Sequence, residues 1–106
     1  MKVLKRPVFL QDVADCADYL FTEAGEEVAR RWKQSLDRTI AQIARFPEIG
    51  RLRPDLPFPG VRTFFIKEFP RYLVFYRLEE GALDLLRVKH GMMHLPALFE
   101  TGADAG

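Results

Sequence analysis

Between Arg62 and His90 (RTFFIKEFPRYLVFYRLEEGALDLLRVKH) β-branched and aromatic residues are dense and alternate along the chain, with turn residues at Glu68-Phe69-Pro70 and Glu79-Glu80-Gly81. The pattern predicts three strands in an antiparallel meander. In the middle strand Leu73 and Phe75 fall on one face and Tyr72, Val74 and Tyr76 on the other. Neither face is polar, so this strand is expected at the centre of a sheet covered on both sides. In the first strand Phe64 and Ile66 alternate with Arg62, Phe65 and Lys67. In the third, Leu86 and Val88 alternate with Leu85, Arg87 and Lys89.

Upstream the period changes. Val13, Cys16, Ala17, Leu20 and Phe21 recur at three and four residues, predicting a helix over Gln11 to Thr22 with Asp12 near its start to complement the helix dipole. Ala24-Gly25 breaks it. A longer helix then runs from Glu26 to about Arg45 with one stripe, Val28, Trp32, Leu36, Ile40 and Ile43. Two helices joined by a short turn make a hairpin whose apolar side needs a sheet to rest on, with Trp32 as its anchor. Lys2 to Lys5 (KVLK), stopped by Pro7, reads as an edge strand, since lysine and proline are what edges tolerate. Phe46-Pro47 closes the second helix. The prolines 47, 54, 57 and 59 stiffen an ordered loop anchored by Leu52, Leu56 and Phe58.

Length and composition limit this to one domain: 106 residues, almost half of them apolar, support a single core. The domain is placed at residues 1–99, followed by a small, polar, flexible tail over 100–106 (ETGADAG). A net charge of +1 excludes a strong global pull on nucleic acid. Local patches matter more, and Arg62, Lys67, Arg71, Arg77, Arg87 and Lys89 make one sheet face partly cationic. A single cysteine, with no signal peptide and no long apolar run, fits a reducing cytoplasm and no membrane association. Cys16, within an apolar helical pattern, is expected to be a small packed side chain.

Candidate chemistry is sparse. There is no phosphate-cradling glycine loop, no metal-ligand spacing and no nucleophile elbow; the only serine, Ser35, lies mid-helix. His90 and His94 are four apart, but His90 ends a strand, so they do not share a helix face. His90 as a general base competes with a strand-end histidine bonded to backbone. Arg71-Tyr72 and Tyr76-Arg77 place cations beside flat rings, suited to RNA phosphates and bases or to the carboxylates of a partner peptide.

The order edge strand, helical hairpin, proline-rich loop and meander resembles the RelE/ParE toxins of bacterial type II toxin–antitoxin systems, and more closely the ParE branch. The matching residues are Asp12 and Tyr19; Phe46-Pro47-Glu48-Ile49-Gly50-Arg51; Pro59-Gly60-Val61-Arg62; Phe69 to Arg77; and Arg87-Val88-Lys89-His90-Gly91. The resemblance implies an α+β fold: an N-terminal edge strand and an α-helical hairpin packed on a three- to four-stranded antiparallel β-sheet. It also implies a cytoplasmic toxin without cofactor or metal, neutralised by a ParD-like antitoxin and directed at DNA gyrase, with no sequence-specific nucleic-acid binding of its own.

Under the resemblance the antitoxin would contact Trp32, Leu36, Arg62, Phe64, Arg71, Tyr72, Val74, Tyr76, Arg77 and Arg87. The target would contact Arg87, His90, Met93, His94 and Leu98. No catalytic residue is assigned. RelE-branch members instead cut mRNA on the ribosome with a cation cluster and a C-terminal tyrosine. This chain has Met92-Met93 where those carry a basic residue, and no tyrosine after Tyr76. Such a metal-independent endonuclease, with Arg62, Lys67, Arg71 and Arg77 as its cations, and an inactive antitoxin-binding relic are the alternatives. Many ParE-like members carry Arg-Asp after the segment His90-Gly91, where Met93-His94 stands here.

Overall fold

The computed structural model describes residues 1–91. The domain boundary placed at residue 99, the tail 100–106, and the target contacts assigned to Met93, His94 and Leu98 lie outside the described residues. The elements in order are β1 (Lys2–Lys5), α1 (Pro7–Ala24), α2 (Glu26–Arg45), β2 (Arg51–Leu52), β3 (Arg62–Ile66), β4 (Phe69–Glu79) and β5 (Ala82–His90).

The fold is α+β, as expected, but the sheet has five strands in the order β1-β5-β4-β3-β2. It is mixed: β3, β4 and β5 form the predicted antiparallel meander, while β1 lies parallel to β5 with Val3 opposite Leu83. β1 is indeed an edge. The extra strand, β2, consists of two residues, too few to leave a periodic trace, and pairs with the start of β3.

α1 begins a turn earlier than its apolar pattern predicts. Pro7 does not separate strand from helix; it occupies the first helical turn, where its missing N–H costs nothing and its φ is already set. Gly25 ends α1 with its N–H donated to the Leu20 and Phe21 carbonyls, and its φ of 96° is one that a Cβ disfavours. α2 then buries Trp32, Leu36, Ile40 and Ile43, so the stripe read from the sequence is the face that meets the sheet.

Both sheet faces are covered. Tyr72, Val74 and Tyr76 of β4 join Phe9, Leu20, Trp32, Leu36, Ile40 and Ile43 in the core under the helices. On the other face Phe75 packs with Leu56, Val61 and Leu86, and the proline-rich loop is the lid that the apolar Leu73 and Phe75 required. One phase differs from the sequence reading: Leu83, Leu85 and Val88 face the helices and Leu86 faces away. A bulge opposite the Phe75/Tyr76 step inserts Leu86 into β5 and inverts the alternation there. The β4–β5 hairpin closes with Glu80 and Gly81 at φ 51° and 78°, the primed turn that matches strand twist.

Candidate functional site

Past Leu85, β1 no longer pairs with β5, and α1 closes the exposed edge instead. Asp12 turns its carboxylate toward this edge and accepts hydrogen bonds from Val88 N at 3.1 Å and from Arg87 Nε and Nη2 at 2.7 and 3.0 Å. Lys89 Nζ stands 3.2 Å from the same carboxylate. Asp12 therefore does not serve the helix dipole, as expected from its position. It is a buried tie, 2% exposed, between α1 and β5. Arg87 is 8% exposed and paired with it, so this side chain holds the edge together.

The tie holds α1 beside the ends of β4 and β5 and leaves an open groove between them. Asp15, Cys16, Tyr19, Tyr72, Lys89 and His90 line a groove of about 450 Å³. Its continuation along Phe69, Pro70 and Arg71 shares Tyr19, Tyr72 and His90. The Tyr72 ring meets Trp32 edge-on at 5.6 Å and His90 edge-on at 5.2 Å, so the wall is a fixed aromatic stack. Arg31 lies 6.0 Å over the Phe69 ring at the rim. Tyr19 is 61% exposed and Arg71 is exposed, both free to meet a partner's side chains.

Burial keeps two side chains of this groove in their neutral forms. Burial, aided by Asp12 and Asp15 and opposed by Lys89, pushes the Cys16 thiol up to about 11, so it stays protonated at neutral pH. Burial, with Cys16 and Tyr19 nearby, also raises the Tyr72 phenol above its ordinary range. Both remain neutral hydrogen-bonding walls. Among the described residues no cluster of three or more metal-ligating side chains forms.

The other residues singled out in the sequence are scattered. Trp32, Leu36, Val74 and Tyr76 are fully buried in the core under the helices; Phe64 is half-buried on β3. Tyr76 has a separate task. Its hydroxyl donates to Pro47 O and accepts from Gly50 N, each at 2.8 Å, pinning the segment that follows α2. Arg62 Nη1 donates to Gly50 O at 2.8 Å and to Glu48 O at 3.2 Å, locking the same segment. Arg77 lies between Asp84 and Glu79, with Arg6 on the same Asp84.

Arg62, Arg77, Arg87 and Lys89 of the cationic face thus go into separate structural contacts, and Arg71 and Arg77 stand about 20 Å apart along β4 at strand rise. Of the predicted contacts, the structure brings Arg71, Tyr72 and His90 together. Tyr19, Asp15, Cys16, Phe69 and Lys89 complete the groove and were not assigned as contacts from sequence. An exposed aromatic off the apolar stripe of α1 was the available signal for Tyr19.

The family model for the ParE toxin of type II toxin–antitoxin systems, parDE, matches residues 3–95. Among solved structures the chain is similar to one titled "Chromosomal ParDE TA system from P. aeruginosa", at 20% identity and a TM-score of 0.72, covering 85% of this chain and 95% of that one. At that identity the likeness shows the fold. No curated protein sequence matches. With the family model spanning nearly the whole chain, the protein belongs to the ParE toxin family of type II toxin–antitoxin systems.

Proposed function

We propose that this toxin inhibits DNA gyrase and is neutralised by a ParD-like antitoxin whose segment lies in the groove between α1 and the ends of β4 and β5. The observation that carries the reading is the groove itself: aromatic walls at Tyr19, Tyr72 and His90 with Arg71 and Lys89 at the margin. An antitoxin segment with an apolar anchor and flanking carboxylates complements it, and that segment orders as it binds. No helix among the described residues is long and apolar enough to cross a membrane.

The ribonuclease alternative draws less support. Its proposed cations, Arg62, Lys67, Arg71 and Arg77, do not converge, and two of them are engaged: Arg62 by carbonyls and Arg77 by carboxylates. Stabilising a phosphate transition state requires donors aimed at one point.

Titration calorimetry with the cognate antitoxin tests the groove. Tyr19→Ala should weaken binding by about 2 kcal/mol, as for an aromatic anchor at an interface centre. Arg71→Glu should slow association and make the remaining affinity less salt-sensitive. Unchanged binding by both variants would place the antitoxin elsewhere. Inhibition of plasmid supercoiling by the free toxin tests the gyrase half of the reading.

A further inference from the structure

Among the described residues one face of α1 is apolar and uncovered. Leu10 and Phe21 are 51% and 57% exposed, although Phe21 belongs to the apolar pattern that predicts the helix. At helical period they stand about 16 Å apart along the axis and within about 20° of one another around it, so they share a face. Ala14 and Ala17 fall between them, each within about 40° of Leu10. Tyr19, which margins the groove, is turned about 160° from Phe21 and lies on the other side of the helix. A single exposed apolar side chain is ordinary, but two large ones in line with only alanine between them make a continuous seam.

The seam is complementary to itself. Leu10, Ala14, Ala17 and Phe21 follow the alternating four- and three-residue steps of a coiled-coil contact, and their order, large, small, small, large, reads the same in both directions. Two copies of α1 laid antiparallel put Leu10 of each against Phe21 of the other and Ala14 against Ala17, the isologous contact of a two-fold dimer. The alanines at the centre let the axes approach toward the lower end of the roughly 8–10 Å spacing of packed helices. Charge selects the direction. Asp18 is exposed on one rim of the seam, beside Gln11. Parallel helices would set Asp18 against Asp18, whereas the antiparallel pair brings it, along the axis, within about 3 Å of Gln11 of the second copy. Gln11 donates one amide N–H to Asp15 at 2.8 Å and has a second to give. Asp15 and Glu23 are each about 140° round the axis from Leu10, off the contact.

We propose that the Leu10–Phe21 face of α1 is a homodimer surface, through which two copies of the toxin pair antiparallel about a two-fold axis. A seam this short buries less than the ~800 Å² per partner of a standard interface, so the pairing is weak and reversible. It leaves the groove of each copy open on the far side of α1, and two paired toxins can each hold an antitoxin. The inference does not depend on the gyrase reading.

Sedimentation equilibrium of the purified full-length toxin, from micromolar to millimolar concentration, should show monomer and dimer in exchange. Leu10→Glu and Phe21→Lys should each weaken the dimer on the order of tenfold or more, with melting temperature unchanged because both side chains are more than half exposed. Combined in one chain they should restore it, since the antiparallel order sets each introduced acid against an introduced base. A wild type that stays monomeric throughout, or a dimer that both single variants retain, overturns the surface. A dimer that the single variants lose and the combined variant does not regain overturns the antiparallel order. Single variants that lose antitoxin affinity while their sedimentation is unchanged assign the face to the antitoxin and overturn the proposal.

Discussion

Tyr76, Asp12 and Asp84 show how much of this molecule depends on single polar side chains in apolar surroundings. The Tyr76 hydroxyl satisfies one carbonyl and one amide of the 47–50 segment at once. Tyr76→Phe keeps the ring and orphans both, so a loss of about 1–3 kcal/mol is expected in urea denaturation. Asp84 brings a pH dependence. Burial pushes its carboxyl up, but hydrogen bonds and charge from Arg6 and Arg77 outweigh that and hold it below its ordinary range. A depressed folded pKa contributes stability above the ordinary carboxylate range, near 4, and loses it as pH falls through the folded value. Asp84→Asn should therefore be less stable than wild type at pH 7, with the gap closing toward pH 3; a constant gap would contradict the assignment. Little of this was legible in the sequence. Asp12 looks like a dipole-complementing acid by position, and only the fold reveals that the open edge of β5 needs its carboxylate.

At the scale of elements the sequence was informative where the periodic signal was long. The stripe of α2, the meander and its two-sided burial follow from spacing alone, because twenty residues of α2 and twenty-five of strand carry the period many times. Trp32→Ala should cost roughly 3–5 kcal/mol, since the indole is fully buried against Tyr72 at the centre of the hairpin–sheet interface. A small shift in the denaturation midpoint would contradict that burial. The misread elements have short or non-local causes. β2 is two residues long, the parallel pairing of β1 joins residues about eighty apart in the chain, and the Leu86 bulge breaks a strict alternation. The groove was half legible: Arg71, Tyr72 and His90 stand out as cations and rings on one strand hairpin, whereas Tyr19 and Asp15 join them only through α1.

The whole molecule carries almost no net charge, yet its ionic groups are organised by place: carboxylate ties along β5 and an aromatic groove margined by Arg71 and Lys89. Arg62, Arg77 and Arg87 are each dispersed into their own structural contacts and do not gather at one point. The measurement that tests this account most directly is a gyrase cleavage assay on supercoiled plasmid with purified toxin, with and without its antitoxin. The account predicts linear, protein-linked DNA that accumulates with toxin and disappears when antitoxin is added. Unaltered gyrase activity, together with toxin-dependent cuts in translated mRNA, would contradict it.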